Sequence, residues 1–156
     1  MSGFIRALTV ALCGLPIAFI ASGLQWGTPR PSVGLLLVAL YVWVWLRMRP
    51  SCFVVHPDAI EVRWPLKRRR IPRAEIRELR LLDKAALRAI TGSAARVGVG
   101  GLWGGFGWLW TQRRGIVQMY VSRGDGLVWI ERGAERAWLI TPASPEKFLR
   151  ALGDAA

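Results

Sequence analysis

Few residues in this chain could carry covalent chemistry. There is one histidine, His56, and there are two cysteines, Cys13 and Cys52. Thiolate–imidazole catalysis needs the two groups within hydrogen-bond reach. Cys52 and His56 are separated by Phe53-Val54-Val55, an apolar run that reads as strand. At ~3.3 Å per residue the pair would lie about 13 Å apart, too far to act together. No Cys/His cluster has zinc spacing, so no metal site is expected. Cys13 falls inside an apolar run and Cys52 beyond it, which argues against a disulfide. The acidic residues are scattered, and none stands alone in an apolar run as a tuned general acid would. Neither GxxxxGK[ST] nor GxGxxG is present, so no cofactor is expected. Without a catalytic constellation, the chain does not read as an enzyme.

The cations are the more informative residues. The net charge is +12, with 22 Lys and Arg against 10 Asp and Glu. Most of the excess is local: from Arg63 to Arg96 the basic residues far outnumber Glu75, Glu78 and Asp83. Arg63, the run Lys67-Arg68-Arg69-Arg70 and, second, Arg73 are the candidate contacts for an anionic lipid or a protein partner. Near a negatively charged leaflet each contributes on the order of 1 kcal/mol. The plainer reading is a solvated face that only sets topology. Phosphates of a nucleic acid would suit the same run, but no recognition motif accompanies it.

These cations need elements to position them. The chain is 53% hydrophobic, which excludes a disordered basic tail. Ala7 to Leu24 is uncharged, long enough to cross a bilayer, and Pro16 is tolerable there as a kink. Val33 to Leu46 is a second, shorter run, extended by Pro31 and Ser32 and flanked by Arg47 and Arg49, which can snorkel. Trp43 and Trp45 lie just inside those arginines, and Trp26 lies in the Pro- and Gly-containing connection, as an interfacial belt requires. Residues 1–50 therefore read as a two-helix transmembrane anchor, about 5–24 and 31–48. Ala21-Ser22-Gly23 could instead end a cleaved signal peptide, but that leaves the second run unexplained. A soluble core helix pair is the other alternative. Arg47, Arg49 and the later cations outweigh Arg30 of the connection. The positive-inside rule thus places both termini in the cytoplasm, in a multi-pass protein of the inner membrane.

Residues 51–156 read as a mostly-β cytoplasmic domain. Ile60, Val62 and Trp64 alternate with Ala59, Glu61 and Arg63, the pattern of a half-buried strand after Cys52–Val55 and a His56-Pro57-Asp58 turn. Between Ile76 and Leu82 strand and short helix are hard to separate. Strands are expected at 116–121, 127–132 and 135–140, with turns at 122–126 and 133–134. Ser144, Pro145 and Glu146 open a terminal helix and Gly153 closes it, with Phe148, Leu149 and Leu152 as its apolar stripe. The stretch 97–110, VGVGGLWGGFGWLW, is too short and glycine-rich for a third span. Its glycines permit close backbone approach or tight turns. Its aromatics either cover a sheet or enter the membrane interface beside Arg113 and Arg114.

Gly101-Leu-Trp-Gly104, Gly105-Phe106-Gly107, Gly115, Met119-Tyr120, Leu139-Ile140-Thr141-Pro142 and Ser144-Pro145-Glu146-Lys147-Phe148-Leu149 follow one another in an order that resembles the bacterial pleckstrin-homology (PH-like) family. The resemblance covers the chain from Ser51 onward. It implies two nearly orthogonal antiparallel sheets with one C-terminal helix closing an end, a domain that often follows membrane helices. Eukaryotic relatives bind phosphoinositides through basic residues near the first strands, and Arg63 and Lys67–Arg70 occupy a broadly comparable place. The expected work is non-catalytic binding or scaffolding at the cytoplasmic membrane face. A subunit or assembly factor of a larger membrane complex is the alternative, and a basic nucleic-acid-binding module the second alternative.

Overall fold

A computed structural model describes residues 3–26 and 30–153, without the side chains of 24–26 and 30. The Trp26 side chain, expected at the membrane interface, therefore lies outside the described residues. Helices α1 (Gly3–Trp26) and α2 (Arg30–Arg47) pack together as a hairpin. Gly3–Gly23 is long and apolar enough to cross a membrane, with a mean hydropathy of 2.1, while the apolar segment Pro31–Arg47 is shorter. Phe4, Val10, Ile17, Leu35 and Leu36 all point outward, while Val44 of α2 is buried.

The hairpin closes through two local devices. Pro16 has no N–H and leaves the Leu12 carbonyl without its helical donor. The Tyr41 hydroxyl of α2 donates to that carbonyl at 3.0 Å. Gly34 allows close approach, because a Cβ there would stand 2.8 Å from the Pro16 carbonyl oxygen.

Nine strands follow among the described residues. β1 (Cys52–Val55), β2 (Ala59–Arg63) and β3 (Arg68–Pro72) form a small antiparallel sheet, in register Val62 to Phe53 and Arg69. A 3-10 turn at Arg73–Glu75 leads into β4 (Ile76–Leu82), so the ambiguous segment is strand. Helix α3 (Lys84–Thr91), which sequence patterning had not marked, follows; Asp83 caps it by accepting from Ala86 N at 2.7 Å. β5 (Ala94–Gly100), β6 (Gly105–Thr111), β7 (Gly115–Val121), β8 (Leu127–Arg132) and β9 (Trp138–Ile140) complete a second sheet with β4, ordered β4-β8-β9-β7-β6-β5. β9 is shorter than the expected 135–140, and it runs parallel to β7 while every other pair is antiparallel. Helix α4 (Pro145–Gly153) ends the described chain, with Ser144 O accepting from Phe148 N at 2.9 Å.

The six-stranded sheet is covered on both faces. On one, Phe106, Tyr120, Val128, Ile130, Trp138 and Ile140 meet Ile60, Val62, Trp64 and Ile71 of the small sheet and Phe148 and Leu152 of α4. On the other, Leu109, Val117, Met119, Trp129 and Leu139 are closed over by Ala86, Leu87 and Ile90 of α3. Each such buried side chain contributes roughly 1.5–3 kcal/mol of transfer free energy. The expected architecture, helical hairpin then two sheets and a closing helix, is the one observed, except that the parallel β7–β9 pair makes the larger sheet mixed where an antiparallel one was expected.

The Gly/Trp stretch is a β-hairpin, not a loop. Its tip docks on the helices: Trp103 N donates to Thr9 Oγ1 at 3.0 Å, and the Thr9 hydroxyl lies 2.7 Å from Ile5 O and 3.0 Å from Gly101 O. Trp103 packs edge-on against Trp45 of α2, with ring centroids 4.8 Å apart. Its φ of 59° is rare for a large side chain, a strain of order 1–3 kcal/mol that these contacts hold in place.

Candidate functional site: a cationic collar at the exit of the second helix

Strand pairing sorts the six cations singled out from sequence. On β2 and β3, residues of alternate parity face opposite sides. Arg63 turns outward and donates to Glu61 from Nε at 2.8 Å and from a terminal nitrogen at 3.2 Å. His56 Nε2 meets the same carboxylate at 2.9 Å. Arg63 first and His56 second hold the Glu61 carboxyl down at about 2. Arg70 spans both oxygens of Asp58 at 3.1 Å. Arg73 donates to the Ala151 and Leu152 carbonyls at 2.9 and 2.7 Å, closing the C-terminal end of α4. Three of the six thus have partners within the fold.

Lys67, Arg68 and Arg69 remain. Among the described residues none of them lies within ion-pair distance of a carboxylate. The β2–β3 turn carries Lys67 and is closed by Trp64 N donating to Lys67 O at 2.8 Å. That turn is pinned to the end of α2, because the Trp64 indole N–H donates to Met48 O at 3.2 Å. Lys67 consequently lies over the Trp64 ring at 4.5 Å and within electrostatic reach of Arg47. Its pKa is lowered, chiefly by burial and then by the charges of Arg47 and Arg69. Arg69 lies over the Trp138 ring at 5.0 Å, and Arg68 stands exposed opposite Arg63. Each cation–π contact is worth ~0.5–1 kcal/mol at an exposed site.

Arg47, Lys67 and Arg69 therefore form a collar of like charges without counter-charge, where the chain leaves α2. Sequence placed Arg47 in one group and Lys67 and Arg69 in another; Trp64 joins them. Of the other interfacial candidates, Trp43 points outward, while Trp45 is shared between Trp103 and Arg49, whose guanidinium carbon lies 4.0 Å above its ring. A carboxylate or phosphate would satisfy the collar. Among the described residues no three His, Cys, Asp or Glu gather as a metal site.

The Gly/Trp hairpin also leaves surface uncovered. Trp108 and Trp110 share the parity of buried Phe106 but run beyond the cover of the small sheet, 42% and 65% exposed. Val97 pairs with Trp108, and the two form an exposed apolar strip.

No curated protein and no solved structure matches the chain. A family model described as a bacterial PH domain matches residues 52–156, the part that forms the two sheets and α4. With that match and this architecture in agreement, the chain belongs to the bacterial PH domain family.

Proposed function

We propose that the chain is a membrane-anchored binding module, with residues 1–50 as a two-helix anchor and 51–156 as a cytoplasmic domain that engages anionic lipid at the inner leaflet. The collar of Arg47, Lys67 and Arg69 carries the reading. Three exposed cations gathered without a carboxylate attract an approaching anion, and they sit where an inner leaflet would begin. The outward apolar side chains of both helices support the anchor. α2 is short for a span, and its tryptophans and arginines allow the bilayer to adapt.

The test uses the full chain in bilayers with spin-labelled lipids. Phosphatidylglycerol is expected to be preferred over phosphatidylcholine at the protein surface, by about fivefold for each cation that contributes ~1 kcal/mol. Salt and the Lys67→Gln/Arg69→Gln variant should both erode that preference. Equal association of the two lipids at low salt would overturn the reading. A protein partner meeting the exposed Trp108–Val97 strip is the second reading, and crosslinking in native membranes addresses it.

A further inference from the structure

A second cationic feature is a cleft of about 390 Å³ between the linker after α2 and the far ends of β7 and β9. It is within the size range of small-ligand pockets. Its walls carry Arg49 and Cys52 from the linker and first strand, Ser122 and Arg123 after β7, and Thr141 after β9. None of its lining residues is acidic.

The donors in this cleft are incompletely used. Arg123 gives one N–H to Ala143 O at 3.2 Å and one to Pro142 O at 2.5 Å. Its Nε stands 4.0 Å from exposed Asp125, at the limit of an ion pair. A guanidinium has five N–H donors, so others stay open. Ser122 N donates to Thr141 Oγ1 at 2.8 Å, and the two hydroxyls lie 3.1 Å apart. One hydroxyl proton serves that pair, and the other is available. Arg49 has the Trp45 ring at 4.0 Å and, among the described residues, no carboxylate within ion-pair distance. Partial burial lowers its pKa.

We infer that this cleft binds a phosphate group, with Arg49 and Arg123 supplying charge and the Ser122–Thr141 pair supplying a hydroxyl donor. Two arginines and a hydroxyl suit a tetrahedral anion, since guanidinium forks match its oxygens in pairs. The phosphate belongs either to a lipid headgroup or to a free phosphate ester. The lipid source rests on the anchoring proposed above, whereas the phosphate chemistry does not.

Cys52 lines the cleft and is exposed, so an occupant should shield its thiol. The experiment follows alkylation of Cys52 by a water-soluble maleimide in the full chain, carrying Cys13→Ala and held in nanodiscs. With inorganic phosphate at ten times its dissociation constant, labelling should slow by about tenfold. Protection by phosphatidylglycerol discs but not by added phosphate assigns the lipid source; protection by phosphate in phosphatidylcholine discs assigns the free one. Arg49→Gln should abolish either protection, and Arg123→Gln serves as the second variant. Lys67→Gln/Arg69→Gln should leave it intact, so the collar and the cleft can fail separately. Unchanged labelling under every condition, or protection that survives both arginine variants, overturns the inference.

Discussion

Glu61 shows how one side chain changes the reading of its neighbours. It is buried on the strand beside the basic run and takes hydrogen bonds from Arg63 and His56. Its carboxyl is depressed from 4.5 to about 2. A depressed carboxyl stabilises the fold above its unfolded value and loses that contribution as pH falls through the folded one. The Glu61→Gln protein should therefore melt below the parent at neutral pH. The two melting curves should converge as pH falls from 4.5 toward about 2, read by circular dichroism. A difference that stayed constant across that window would assign the effect to packing. Tyr41 offers a second test, because it serves a carbonyl that Pro16 orphans. Tyr41→Phe should cost about 0.6 kcal/mol, with ~1.7 as the upper end for hydrogen bonds between membrane helices. In a Pro16→Ala background the loss should shrink, since the helix then supplies its own donor. Reversible unfolding in mixed micelles measures both arms of that cycle.

At the scale of elements, the β5–β6 hairpin depends on two glycines that face each other in register. Gly98 and Gly107 have φ of 136° and 129°. A Cβ on Gly107 would stand 2.5 Å from the Val97 carbonyl oxygen, and one on Gly98 2.3 Å from that of Phe106. Gly107→Ala should destabilise the domain by at least ~1–3 kcal/mol, the usual range for backbone strain of this kind. Gly100→Ala, with open space around its Cβ, is the control and should cost far less. Chemical denaturation of the two variants checks the contrast. The same hairpin explains why the stretch defied assignment. Its glycines disfavour strand propensity, and only pairing with β7 and docking on Thr9 and Trp45 make it regular.

At the scale of the molecule, the helices and sheets are joined by short-range contacts. Trp64 donates to Met48 O, Trp103 N donates to Thr9, and Trp45 lies between Trp103 and Arg49. These contacts hold the sheets against the ends of α1 and α2 that the proposed topology assigns to the cytoplasm. A reporter active only in the periplasm, fused after the last residue, should be silent. A cytoplasmic reporter at the same place should be active. The reverse pattern would invert the proposed orientation, and with it the leaflet that the collar meets.

Much was legible in the sequence because it depends on local patterning. Uncharged runs give helices, alternation around Ile60 and Val62 gives a half-buried strand, and Ser144-Pro145 opens the last helix. These follow from side-chain periodicity and caps, which neighbours along the chain decide. Helix α3 escaped because its few apolar residues sit on one short face, which gains its role only from the sheet beneath. Which cations stay free could not be read locally. Glu61 and Asp58 reach Arg63 and Arg70 through strand geometry, Arg73 reaches α4 from far along the chain, and Arg49 and Arg123 line one cleft. A charge repels or pairs according to distance in space. The sequence by itself therefore determined how basic the chain is and where its apolar helices run, and only the tertiary structure decided where that charge is left unpaired.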